Sequence, residues 1–181
     1  FVNITLYSDE AAEIEAIKQL VEQGIQQIEF LTWYPLPADE RGMYPCLLTA
    51  ASSTVAEQHT FVGLMTERYT LSQRIQMQPL QAEPHYANFQ LNDTAYASSE
   101  AGICIRTSWI GTTDEINVAA RILNPLETEI ARSDAAVMPA NPFQLEDAAA
   151  YNRMALPAGT PPTEYPLTLT VYDSQHPNGM T

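Results

Sequence analysis

Residues 67–78 read Glu67-Arg68-Tyr69-Thr70-Leu71-Ser72-Gln73-Arg74-Ile75-Gln76-Met77-Gln78, and their pattern decides the fold class. Tyr69, Leu71, Ile75 and Met77 alternate with Arg68, Thr70, Ser72, Arg74, Gln76 and Gln78. A period of two sends successive side chains to opposite faces, so this segment reads as a strand with one buried and one wet face. Antiparallel sheets carry that pattern, because parallel ones are covered on both faces.

Working outward toward the N-terminus, residues 44–51 form a compact apolar run that reads as a buried strand. Pro35, Pro37 and Gly42 mark a loop before it, and residues 27–34 are extended. Ile14, Ile17, Leu20, Val21 and Ile25 recur at helical spacing behind Ser8-Asp9-Glu10, which supplies a cap and negative charge at a helix start. The helix therefore runs over 9–23 and stops at Gly24. Its stripe of Ile17, Leu20 and Val21 is expected to lie on Leu71, Ile75 or Trp109. Residues 2–7 alternate again, with Val2, Ile4 and Leu6 on one face.

Toward the C-terminus, Ile103, Ile105, Thr107 and Trp109 form one strand face. Ile116, Val118, Ala120 and Ile122 answer it across Gly111-Thr112-Thr113-Asp114, so 102–123 reads as a hairpin. Beyond Asn124, seven of the thirteen prolines fall between Pro139 and Pro177, which points to a connecting arm rather than a second core. Short helical pieces are expected near 126–134 and 144–153, an extended connector over 157–166, and a closing strand at 167–172. That strand, Leu167-Thr168-Leu169-Thr170-Val171-Tyr172, echoes Val2-Asn3-Ile4-Thr5-Leu6-Tyr7. The expected fold is α+β: an antiparallel sheet of about five to seven strands, one N-terminal amphipathic helix on it, and a proline-rich C-terminal arm. Residues 1–124 would form the core domain and 125–181 the arm with its short helices and terminal strand.

A chain of 181 residues fits one ordinary domain, and its net charge of −14 excludes whole classes of partner. Binding phosphate backbones or anionic membranes takes clustered cations, and here Lys+Arg number 8 against 22 Asp+Glu. The longest apolar runs, such as 61–65, fall far short of the roughly 18 residues a membrane span needs. The chain begins at Phe1, which reads as a trimmed product. Cys46 and Cys104 sit in apparent strands and read as two buried thiols; their spacing does not decide whether they are bonded.

Motifs that carry chemistry are sparse. There is no Gly-x-Ser-x-Gly, no phosphate loop, no His-Glu-x-x-His and no Cys-x-x-Cys. Glu57-Gln58-His59 and Glu83-Pro84-His85 share a Glu-x-His spacing that would put carboxylate and imidazole on one strand face. Common loop composition explains them better, and no metal or other cofactor is expected. The acids Asp9, Glu10, Glu13 and Glu15 project around a helix start rather than converging as a calcium loop would. Arg68, Arg74, Arg106 and Arg121 read as cations on solvated sheet faces. Asn3-Ile4-Thr5 and Asn92-Asp93-Thr94 match the glycosylation acceptor pattern.

The helix at 9–23, the loop at Leu36-Pro37, the run Tyr44-Pro45-Cys46-Leu47-Leu48 and the strand 67–78 together resemble bacteriophage tail-terminator or tail-completion proteins. The resemblance covers residues 9–80 and rests on the order of elements. It implies a ring-forming structural joint in a virion, and no residue roles transfer with it. The sequence therefore favours a non-catalytic assembly subunit, acidic and oligomeric, with a virion or extracellular location. Candidate partner contacts are Trp33 and Tyr34 beside the loop, Val2, Ile4 and Leu6 at one end, and Leu167, Leu169 and Val171 at the other. The partners would be further copies or other subunits, with no nucleic acid and no membrane span. A secreted or periplasmic module binding through the aromatic loop is the alternative, and an enzyme relying on His59 or His85 is the third.

Overall fold

The structure is a computed structural model that describes residues 9–33, 41–81, 85–86, 89–110, 116–141, 144–161 and 163–179. Asp9 caps the first helix, α1 (Glu10–Glu22), by accepting the Ala11 N–H at 3.1 Å. Gly24, at φ +76, turns the chain out of it into β1 (Gln27–Trp33). A second helix, α2 (Met43–Ala51), precedes the hairpin β2 (Glu57–Phe61) and β3 (Leu64–Thr70). Then come β4 (Gln78–Pro79), β5 (His85–Tyr86), β6 (Phe89–Ser99), β7 (Gly102–Ile110), β8 (Asn117–Leu123) and β9 (Glu129–Ala136). The series closes with β10 (Met138–Asn141), β11 (Gln144–Met154) and β12 (Leu167–Tyr172).

Mixed α/β structure with antiparallel pairing is thus observed, but the expected single sheet is three. The strand orders are β1-β3-β2, then β10-β11-β7-β6-β4 with β5 also on β6, and β12-β8-β9. The six-stranded sheet is the middle layer. On one side Ala97, Cys104, Ala149 and Tyr151 join Ile17 of α1 and Met43, Cys46 and Leu47 of α2 in one core. On the other side Trp109, Ala148 and Ala150 pack with Val118 and Val171, and Ile105 and Met154 with Ala120 and Ile122. Both faces of the central strands are therefore covered.

Residues 44–51 form helix rather than strand. Pro45 falls in the first turn of α2, where a missing N–H leaves no helical bond unmade. The helix buries Met43, Tyr44, Cys46, Leu47, Leu48, Thr49, Ala50 and Ala51. A helix apolar on every side shows no amphipathic period, and a short apolar run then looks like a buried strand.

The hairpin expected over 102–123 is also corrected. Both strands exist, but β7 pairs with β6 and β11, while β8 pairs with β9 and β12. Their apolar faces meet across two packed sheets, as Trp109 and Val118 do in one core, rather than along a shared ladder. Asn152 stitches the layers: fully buried on β11, its Nδ2 donates to the Val118 and Ser133 carbonyls at 3.0 and 2.9 Å.

The helical pieces expected near 126–134 and 144–153 are strands β9 and β11. Helix-forming Gln, Leu, Glu and Ala in β11 yield to packing, because Ala148, Ala149 and Ala150 let layers approach from both sides. β11 sits between β10 and β7, and β9 and β12 flank β8, so residues beyond 125 are built into two of the sheets instead of forming an arm. The strand expected at 67–78 keeps its phase, with Tyr69, Leu71 and Ile75 buried, but ordered pairing ends at Thr70 apart from a bridge from Leu71 to Ser52. Ile17, Leu20 and Val21 do share a core with Leu71 and Ile75, whereas Trp109 lies on the opposite side of the central sheet.

Cys46 and Cys104 are not free thiols. They form a disulfide with Cα atoms 4.9 Å apart, tying α2 to β7 across 58 residues. Two residues before Cys104, at the start of β7, Gly102 takes φ +150, and a β-carbon there would collide with the Met154 carbonyl.

Candidate interaction surface

The three-stranded sheet has one covered face and one open face, and its register sorts the residues. Phe30 and Tyr69 point into the core, as does Glu67, which is 3% exposed. A buried carboxylate needs compensation. Glu67 receives both terminal nitrogens of Arg153, at 3.0 and 2.9 Å, and the Tyr69 hydroxyl donates to it at 2.7 Å. This triad fastens β3 to β11. A matching anchor lies at the start of α1, where the Tyr151 hydroxyl donates to Glu10 at 2.5 Å and Arg106 lies 3.4 Å from the same carboxylate. Arg106 also bonds Asp93. Burial pushes the Tyr69 and Tyr151 phenols well above the ordinary tyrosine range, and the carboxylate beside each adds to the rise.

The open face has three rows, since residues directly opposite in a ladder share a face. Glu29, Arg68 and Glu57 make the first, with Arg68 2.6 Å from Glu29 and 3.8 Å from Glu57. Leu31, Thr66 and His59 make the second, and Leu64 and Phe61 the third. Leu31 is 53% exposed, Phe61 59%, and Val62 at the hairpin tip fully so. Every residue of β2 is exposed, and among the described residues β2 pairs with β3 alone, so one of its edges meets no described strand. An unpaired edge beside exposed apolar side chains is a template for another strand.

The residues expected to carry function are dispersed. Trp33 closes the ladder opposite Leu64, and its side chain, like the whole of Tyr34, lies outside the described residues. Val2, Ile4 and Leu6 lie outside them as well. Leu167, Leu169 and Val171 point inward from β12, with Val171 fully buried, so they close this chain's own sheet on β8. Glu57 and His59 share β2, but Glu57 leans on Arg68, and no cluster of three metal-binding side chains occurs among the described residues. Glu83 is outside them, and of His85 only the backbone pairing is described.

Arg68, Arg74, Arg106 and Arg121 each meet a carboxylate: Glu29, Glu22, Glu10 and Glu129 in turn. They hold the surface together rather than presenting a pocket for an anion. The feature sequence reasoning missed is β2, whose segment 57–61 lacks an apolar alternation. Its only signal was the dipeptide Val62-Gly63, a two-residue turn flanked by Phe61 and Leu64, with Gly63 at φ +74.

Comparison with known proteins found no family model, no curated protein and no solved structure that matches this chain.

Proposed function

We propose that the chain is a non-catalytic structural subunit that assembles with copies of itself or with other subunits of a larger complex. The observation that supports this best is the open face and edge of β2, with Leu31, Phe61 and Val62 exposed together. Three of the seven large apolar side chains exposed among the described residues lie in this sheet and its hairpin tip, and such a patch gains by being covered. The resemblance of residues 9–80 to tail-terminator proteins supplies the kind of assembly, a joint in a virion. The Cys46–Cys104 disulfide agrees with a virion or extracellular setting, where such bonds persist. Size-exclusion chromatography with light scattering tests the reading. A defined oligomer at micromolar concentration is expected, and a monomer at every concentration up to about a millimolar removes it.

A further inference from the structure

Resting on the assembly reading, we propose that residues 2–7 of one copy add as a fourth strand to the open β2 edge of a second copy. Strand addition needs an unpaired edge, a segment that alternates, and no charge conflict. β2 supplies the edge. The other sheet margins are poorer hosts: β1, the far edge of the same sheet, carries Glu29 in mid-strand, and β5 has two residues. β4 has two residues, one of them Pro79, and β10 carries Pro139. β9 presents Glu129, Arg132 and Asp134, and the chain at Gly179 lies over β12 beside Thr170.

Charge selects the guest. Two chains of net charge −14 repel, so contact is least costly where acids are few, and the single acid of β2, Glu57, lies 3.8 Å from Arg68. Residues 58–65, Gln58 to Met65, contain no Asp, Glu, Lys or Arg, and neither do residues 1–8. Length agrees too. Six residues of strand span roughly 20 Å and the five of β2 roughly 17 Å. Val2, Ile4 and Leu6, aligned with the outer face, would lie beside Phe61 and His59 on β2 and carry the rows of that face one strand further.

The experiment uses the full chain in light scattering, with two variants and a competitor. Ile4→Lys with Leu6→Lys changes the guest, Phe61→Lys changes the host, and a peptide of residues 1–8 competes with the unaltered protein. Both variants should keep a cooperative melt and associate at least about tenfold more weakly, roughly the loss of one or two buried apolar side chains. Excess peptide should dissociate the unaltered oligomer. If an oligomer forms and resists all three, assembly stands and strand addition at β2 is overturned. If the unaltered chain is monomeric, the assembly reading itself fails. Should a variant unfold, the peptide result on the unaltered protein decides.

Discussion

Tyr69 and Tyr151 give the core a weakness at high pH. Burial, the larger cause, and the adjoining Glu67 and Glu10 carboxylates raise both phenols above their ordinary value. The native state therefore keeps these protons where the unfolded chain, titrating near pH 10, gives them up. Stability from this source is complete below about pH 10 and is lost as pH rises beyond it, at up to about 1.4 kcal/mol per pH unit for each phenol. Tyr69→Phe should lower stability near neutrality, because Glu67 loses one hydrogen bond, yet flatten the decline between pH 10 and 11. Urea titrations of both proteins across that range would show it, and parallel slopes would refute it.

Among the elements, α2 is held most firmly, through its eight buried residues and the bond from Cys46 to Cys104 on β7. Closing a loop of 58 residues restricts the unfolded chain, and the entropic account puts that at about 4 kcal/mol. Replacing both cysteines with Ala should therefore lower the urea midpoint substantially, by the equivalent of about 2–5 kcal/mol. An unchanged midpoint would mean the sulfurs are not joined. Elements were legible in the sequence where one face meets water. α1 carries a stripe and a cap, and residues 67–71 keep the phase read from Tyr69 and Leu71. They were illegible where burial is complete. α2, and residues 148–152 of β11, show no face to water that would reveal a period, so local propensity pointed to a strand for one and a helix for the other. Pairing was hidden for another reason: Trp109 and Val118 are complementary whether they meet in a ladder or across two layers. The candidate surface was half visible, since the alternating residues 2–7 stood out and their proposed host at β2 did not.

At the scale of the whole molecule, charge opposes the proposed association, while the β2 edge, charged only at Glu57, favours it. Salt screens the repulsion between copies over a Debye length of about 8–10 Å near physiological strength, and leaves main-chain pairing almost untouched. Self-association should accordingly strengthen several-fold between about 20 and 300 mM NaCl, readable by sedimentation or light scattering. Weakening with salt would point instead to contacts made by charge pairs. The central place of β11 has a consequence for synthesis as well. β7 leaves the ribosome with one flank for β6 already made, but its other flank waits for residues 148–154. During that interval the nascent chain holds a bare strand in its middle layer, and it is stickiest between the emergence of residue 110 and that of residue 148. A message cut short in that window would yield a polypeptide that chaperones and proteases recognise at once, so the arrival of β11 acts as a quality mark.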